Sequence, residues 1–192
     1  KIKKNIFQAR IKSPSPKKII PYKKFMFSSI KKYQVNLVIP GSDEEAYVLS
    51  LYKKEFEKLG CVVLVNSFVT VKILSNKILT YKALNKDKKL LPTWNEIYSK
   101  KELINYLENY INKFGSAVVK PSNSRGGRDV FIIKKKKIKK KYLKNSRVLK
   151  ISYEDFKKKI IRKLKEKFPL IITEELFGPV YDLDIISKKS KL

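Results

Sequence analysis

Residues 118–133, reading VVKPSNSRGGRDVFII, set two short apolar runs on either side of a loop built from small residues. Val118 and Val119 are β-branched and bounded by Gly115 and Pro121, which suits a buried strand, and residues 130–133 suit a second. Ser122, Asn123, Ser124, Gly126 and Gly127 between them carry little bulk. Two readings of this loop stand side by side. A Gly-Gly pair between strands makes an ordinary hairpin turn. The same glycines also let successive backbone N–H groups turn toward an anion. In that reading Lys120 stands at the end of the incoming strand, and Arg125 and Arg128 flank the glycines. The loop is not a Walker motif, because no Gly-Lys-Ser/Thr opens a helix, nor a dinucleotide fingerprint, because no helix follows.

The pattern around the loop is that of a mixed α/β chain. Residues 1–21 are basic, with a Ser-Pro-Ser-Pro cluster at 13–16, and read as an edge element and loop. Residues 25–33 read as a short helix. Residues 35–39 read as a strand ended by Pro40-Gly41. Ser42 or Asp43 then caps a helix, with Glu44 and Glu45 at its positive end. Ala46, Leu49, Tyr52, Phe56 and Leu59 recur at helical spacing, and Gly60 is a stop before a strand at 61–65. Strand, helix, strand with short links predicts a right-handed βαβ unit in a parallel sheet. Residues 66–71 read as a connector, with room for a short strand, and 76–84 as a helix with Lys77 near its start.

Leu91-Pro92-Thr93 breaks the chain before an extended piece. Ser99 and Glu102 form a capping box for a helix whose stripe is Leu103, Ile104, Leu107, Ile111 and Phe114, closed by Gly115. Ser152 and Asp155 open another, with Phe156, Ile160, Ile161, Leu164 and Phe168 as its stripe and Pro169 as its end. Strands are expected at 170–173 and 181–186.

The formal charge of +29 bounds the function classes. Of 46 basic residues five are Arg (Arg10, Arg125, Arg128, Arg147 and Arg162) and the other 41 are Lys. Readers of nucleic acid favour Arg for bidentate and stacking contacts, so nucleic acid is disfavoured as a partner. Lys, Ile, Asn, Phe and Tyr share A- and T-rich codons, which favours lysines as fillers of solvated positions. The lysine-dense segment 134–150 is read the same way, as a solvated hairpin or loop, with RNA or membrane phosphates as the alternative. With no histidine, a His triad, a His base and a His-ligated zinc are excluded within these residues. Cys61, in the run CVVLV, reads as a small buried hydrophobe rather than a nucleophile. No apolar run approaches the ~20 residues needed to span a bilayer, and no secretory signal pattern opens the chain. A cytoplasmic setting is expected. The terminal Ser190-Lys191-Leu192 matches a peroxisomal address but follows a lysine-rich turn, and is read as chance.

Five segments in order resemble ATP-grasp enzymes, most closely the carbamoyl-phosphate synthase large-subunit-like branch. They are the turn Val38-Ile39-Pro40-Gly41-Ser42-Asp43-Glu44-Glu45, the pair Asn76-Lys77, the break Leu91-Pro92-Thr93, the strand and loop 118–130, and residues 171–184. The resemblance covers roughly residues 30–186. It implies an incomplete ATP-grasp fold, an α/β chain with an α+β lid behind a partial Rossmann-like domain. The expected divisions are 1–75 (pre-ATP-grasp), 76–115 (helical connector), 116–180 (ATP-binding lid) and 181–192 (start of the C-terminal subdomain).

As the resemblance implies, Lys77 and Lys120 contact ATP phosphates, while Ser122, Gly126 and Gly127 belong to the flap over them. Glu174, Glu175 and Leu176 form the hinge that reads adenine through backbone groups. The implied reaction makes an acyl-phosphate on a carboxylate or bicarbonate, which an amine or ammonia then attacks. The implied partners are therefore ATP, that acid and an amine donor, with a homo-oligomer possible. Mg²⁺ is the implied metal, with its ligands expected beyond residue 192 and none within these residues. Two departures stand out: Asn76 replaces the family's aspartate, and Val180 replaces a glutamate that usually meets the ribose, with Glu175 or Asp182 as weak substitutes. The alternative functions are a basic nucleic-acid-binding module or a non-catalytic ATP-binding relic.

Overall fold

A computed structural model describes residues 10–85, 91–124, 127–136, 138, 141–142, 147–179 and 181, with only the backbone at 141, 142, 165 and 166. The chain divides into two units, Lys1–Ala83 and Leu84–Leu192.

The first unit opens with α1 (Ile19–Tyr33), longer at its front than the expected 25–33. Pro21 is accommodated in the first turn, where its missing N–H has no intrahelical partner to lose. The strand β1 (Leu37–Val38) pairs in parallel with β2 (Val62–Val63), as the strand–helix–strand pattern predicts, although each is only two residues long. Between them lie α2 (Asp43–Leu51) and α3 (Lys53–Glu57), where a single helix was expected. The break falls at Tyr52, whose φ and ψ are −110° and 16°. Ser42 caps α2 by accepting from Glu45 N at 3.3 Å, and Glu45 Oε2 reaches back to Gly41 N at 2.8 Å. Ile30, Val38, Leu49, Phe56, Cys61 and Val63 form this unit's buried cluster, so Cys61 packs as a hydrophobe. Burial raises its thiol pKa, which favours the thiol over the thiolate.

Residues 66–71, expected as a connector with room for a short strand, instead run into a helix. Ser67 accepts from Thr70 N at 3.2 Å and starts α4 (Phe68–Leu74), so a cap overrides the β-branched Val69, Thr70 and Val71. The helix α5 (Lys77–Leu84) follows, capped by Asn76, whose Oδ1 accepts from Leu79 N at 3.0 Å.

In the second unit, the described residues form one mixed sheet in the order β3-β8-β4-β5-β7-β6. Its strands are β3 (Trp94–Ile97), β4 (Ser116–Pro121), β5 (Phe131–Lys134), β6 (Lys141–Tyr142), β7 (Leu149–Ser152) and β8 (Leu170–Thr173). Only β5 and β7 pair in parallel. The lysine-dense segment thus includes a β-hairpin, β6 against β7.

One sheet face is covered by α6 (Lys100–Phe114) and α7 (Tyr153–Lys159), the latter continued by a 3-10 helix at Ile161–Lys167 where regular helix was expected. Leu103, Leu107, Tyr110 and Ile111 of α6 and Phe156 of α7 pack on Ile97, Ala117, Val119, Phe131, Ile133, Leu149, Ile151, Leu170 and Ile172. Both capping boxes form: Ser99 accepts from Glu102 N and Ser152 from Asp155 N, at 3.2 and 3.3 Å. Gly115 ends α6 at a φ of 74°. Of the strand expected at 181–186, residues 182–186 lie outside the described residues. No helix among the described residues is long and apolar enough to cross a membrane.

Candidate functional site

Alternation along β4 sends Ala117 and Val119 into the helix-covered core, so Val118 and Lys120 stand on the opposite sheet face. Lys120 is flanked across the ladder by Ile171 of β8, which is fully buried. Burial in these apolar surroundings holds the Lys120 ammonium below its usual pKa. A cation kept short of solvent in this way gains more from an arriving anion than a surface lysine does.

The 122–130 loop joins β4 to β5, which are antiparallel neighbours, so it is a hairpin connection. Ser122 is buried at its root, and its N–H donates to Pro169 O at 3.1 Å. Ser124 Oγ donates to Pro121 O at 3.5 Å. Gly127 has a φ of 68°, and a Cβ there would lie 3.3 Å from Val148 Cγ2, so both conformation and space call for glycine. Asp129, at a φ of 56°, pairs with Lys167 at 3.1 Å. Arg128 is exposed, and Arg125 and Gly126 lie outside the described residues.

Beyond β8 the chain runs into residues 174–179 without regular structure. Glu174 continues the pairing toward β3: its N donates to Thr93 O at 3.1 Å, and its Oε1 accepts from Thr93 N at 2.7 Å. Glu175 points the other way and forms an ion pair with Lys134, the last residue of β5. The Lys134 ammonium also lies 5.1 Å from the centre of the Phe177 ring. Leu176 and Phe177 are 71% and 78% exposed. Behind Glu174, Tyr110 of α6 donates to Asn95 Oδ1 at 2.8 Å, and its hydroxyl pKa is raised by burial and then by the Glu174 charge.

In the second unit Lys120 lies on β4, Ser122 and Gly127 in the loop that follows it, and Glu174, Glu175 and Leu176 directly after β8, the strand next to β4. Lys77 belongs to the first unit, at the start of α5. Val180 and Asp182 lie outside the described residues. Sequence reading missed Lys134. It is the first of four consecutive lysines, and only its place directly after the buried Ile133 distinguishes it from the others. Thr93 was read as part of a break, and its long-range partner left no sequence signal. Among the described residues, no three His, Cys, Asp or Glu side chains gather into a group that could hold a metal, so none of them is assigned to Mg²⁺.

No protein-family model matches the sequence. No curated protein matches it. Among solved structures, the chain is similar to the biotin carboxylase domain dimer of 2-oxoglutarate carboxylase from Hydrogenobacter thermophilus, solved with MgADP, ADP and bicarbonate. The TM-score is 0.51 at 12% identity, over 82% of this chain and 32% of that one. The biotin carboxylase subunit of a pyruvate carboxylase also matches, at 13% identity over 82% of this chain and 32% of that one, with a TM-score of 0.35. The chain thus spans about a third of the length of these structures. Biotin carboxylase domains are ATP-grasp enzymes, and the similarity to the first supports an ATP-grasp-like fold.

Proposed function

We propose that this chain is the ATP-binding part of an ATP-grasp ligase. The observation that carries the reading is Lys120: a desolvated ammonium at the mouth of β4, on the sheet face away from the helices, two residues before a loop that requires glycine. That is where a polyphosphate would find a fixed cation and backbone donors without reorganisation. Lys77 is the second phosphate cation, Ser122, Gly126 and Gly127 belong to the flap, and Glu174–Leu176 presents the backbone that meets the base. The divisions 1–75, 76–115, 116–180 and 181–192 are kept as functional segments of this reading.

The proposed reaction transfers the γ-phosphoryl group. A carboxylate or bicarbonate oxygen forms a bond to γ-phosphorus as the bond to the ADP oxygen breaks. An amine or ammonia then attacks the acyl carbon, phosphate leaves, and the nitrogen loses its proton to solvent. Charge placement does most of the work in such a transfer, and no protein nucleophile is needed. Bicarbonate is the favoured acid, since the similar 2-oxoglutarate carboxylase domain was solved with it. The carbamoyl-phosphate synthase-like chemistry, the amine donor, a cytoplasmic setting and a homo-oligomer complete the reading. Mg²⁺ would neutralise the phosphates when bound, and the residues described above carry no assigned ligand for it.

Calorimetric titration of the 192-residue chain with ATP tests the binding step. The expected outcome is ATP binding that Lys120→Ala weakens by about 100-fold. Equal affinity in the two proteins, or no binding by the unsubstituted chain, overturns the reading.

A further inference from the structure

The hinge that follows β8 is held by two carboxylates pulling to opposite sides. Glu174 is tied to Thr93 beside β3, and Glu175 to Lys134 on β5. Because β4 lies between β8 and β5, the second tie crosses a whole strand. Among the described residues, the Leu176 and Phe177 side chains are largely exposed. The ion pair is nevertheless well shielded, with side-chain exposures of 18% for Lys134 and 11% for Glu175. Removing two charges from water offsets most of their attraction, so a shielded pair contributes little net stability and mainly fixes geometry.

We infer that the Lys134 and Glu175 side chains form a clasp that sets the path of the hinge backbone, and so the affinity for nucleotide, without either side chain touching it. Both are positioning residues. The Phe177 ring beside Lys134 is the third part of the clasp, since a cation near an aromatic ring restrains both. The inference deepens the proposed function and rests on it. It also leaves both hinge carboxylates committed within the protein, so the base would be met by main-chain groups.

The test compares Lys134→Met, Glu175→Gln and the conservative Lys134→Arg with the unsubstituted 192-residue chain. Two measurements are made: amide hydrogen exchange across residues 174–179 without nucleotide, and ATP affinity by calorimetry. Met and Gln should each speed exchange in the hinge and weaken ATP by about 10-fold, while Arg keeps both near their original values. Unchanged exchange in the Met and Gln variants overturns the clasp whatever the nucleotide result. Faster exchange with unchanged ATP affinity overturns its positioning role, as does an Arg variant that behaves like Met. If the unsubstituted chain binds no ATP, the proposed function falls and takes this role with it, and that outcome is visible before any variant is made.

Discussion

Glu174 and Thr93 hold each other twice: the main chain of Glu174 donates to the Thr93 carbonyl, and its carboxylate accepts from the Thr93 N–H at 2.7 Å. The residue expected to face a base is thereby the terminal rung between β8 and β3. A charged acceptor on a backbone N–H is among the stronger single hydrogen bonds. Glu174→Ala should therefore cost about 1–2 kcal/mol in urea denaturation. Glu174→Gln, which keeps the acceptor, should cost less than half of that. If the two variants are equally stable, the side-chain bond to Thr93 contributes nothing.

Lys120 carries a second prediction, one for the pH dependence of stability and one for binding. Burial lowers its pKa in the folded chain, so below that lowered value the folded state bears a desolvated charge that the unfolded chain does not. As pH rises through the folded value the lysine loses its proton while the unfolded lysine keeps it. The unfolded state then binds more protons, and stability rises until the ordinary lysine value is passed. Lys120→Met should flatten that alkaline rise and abolish stabilisation by added ATP. A Met variant that keeps the alkaline rise, or that ATP still protects, contradicts this account.

Why some of this was legible in the sequence and some was not follows from the range of the interactions. Local signals read directly. Ser42, Ser99 and Ser152 each cap a helix three residues before an acidic partner, and Gly60 and Gly115 adopt the positive φ of a helix stop. The β4–loop–β5 unit is equally local. What the sequence concealed depends on partners far along the chain: Glu174 with Thr93, Tyr110 with Asn95, and Glu175 with a lysine hidden among lysines. Periodicity also hid two changes of helix type. Tyr52 interrupts a helical stripe without breaking its spacing, and the apolar positions after Ile160 serve a 3-10 helix as well as an α-helix. Residues 66–71 read as a connector because the Ser67 cap has Thr70, not an acidic residue, three positions on.

Gly127 tests whether the loop's glycine is a conformational need. At a φ of 68°, any side chain pays the left-handed penalty, and the new Cβ would sit 3.3 Å from Val148 Cγ2. Gly127→Ala should lose about 1–2 kcal/mol in denaturant titration. Pairing it with Val148→Ala opens the space but leaves the φ, so the double variant should show the two costs adding less than fully. Full additivity would place the strain in the backbone alone.

Asn76 separates a structural duty from a functional one. The resemblance predicts an aspartate there, yet the asparagine Oδ1 already accepts from Leu79 N at 3.0 Å and opens the helix that carries Lys77. An aspartate can accept the same bond and adds a negative charge at the positive end of the helix dipole. Asn76→Asp should therefore stabilise the chain by about 0.5 kcal/mol. Asn76→Ala, which removes the acceptor, should destabilise it by about 1 kcal/mol. Both values come from denaturant titration of the same chain. If the position serves as a cap alone, ATP affinity follows neither change. If Asn76→Asp instead alters ATP affinity while stability moves as expected, the residue acts on Lys77 or its ligand beyond capping, and the cap no longer suffices as its explanation.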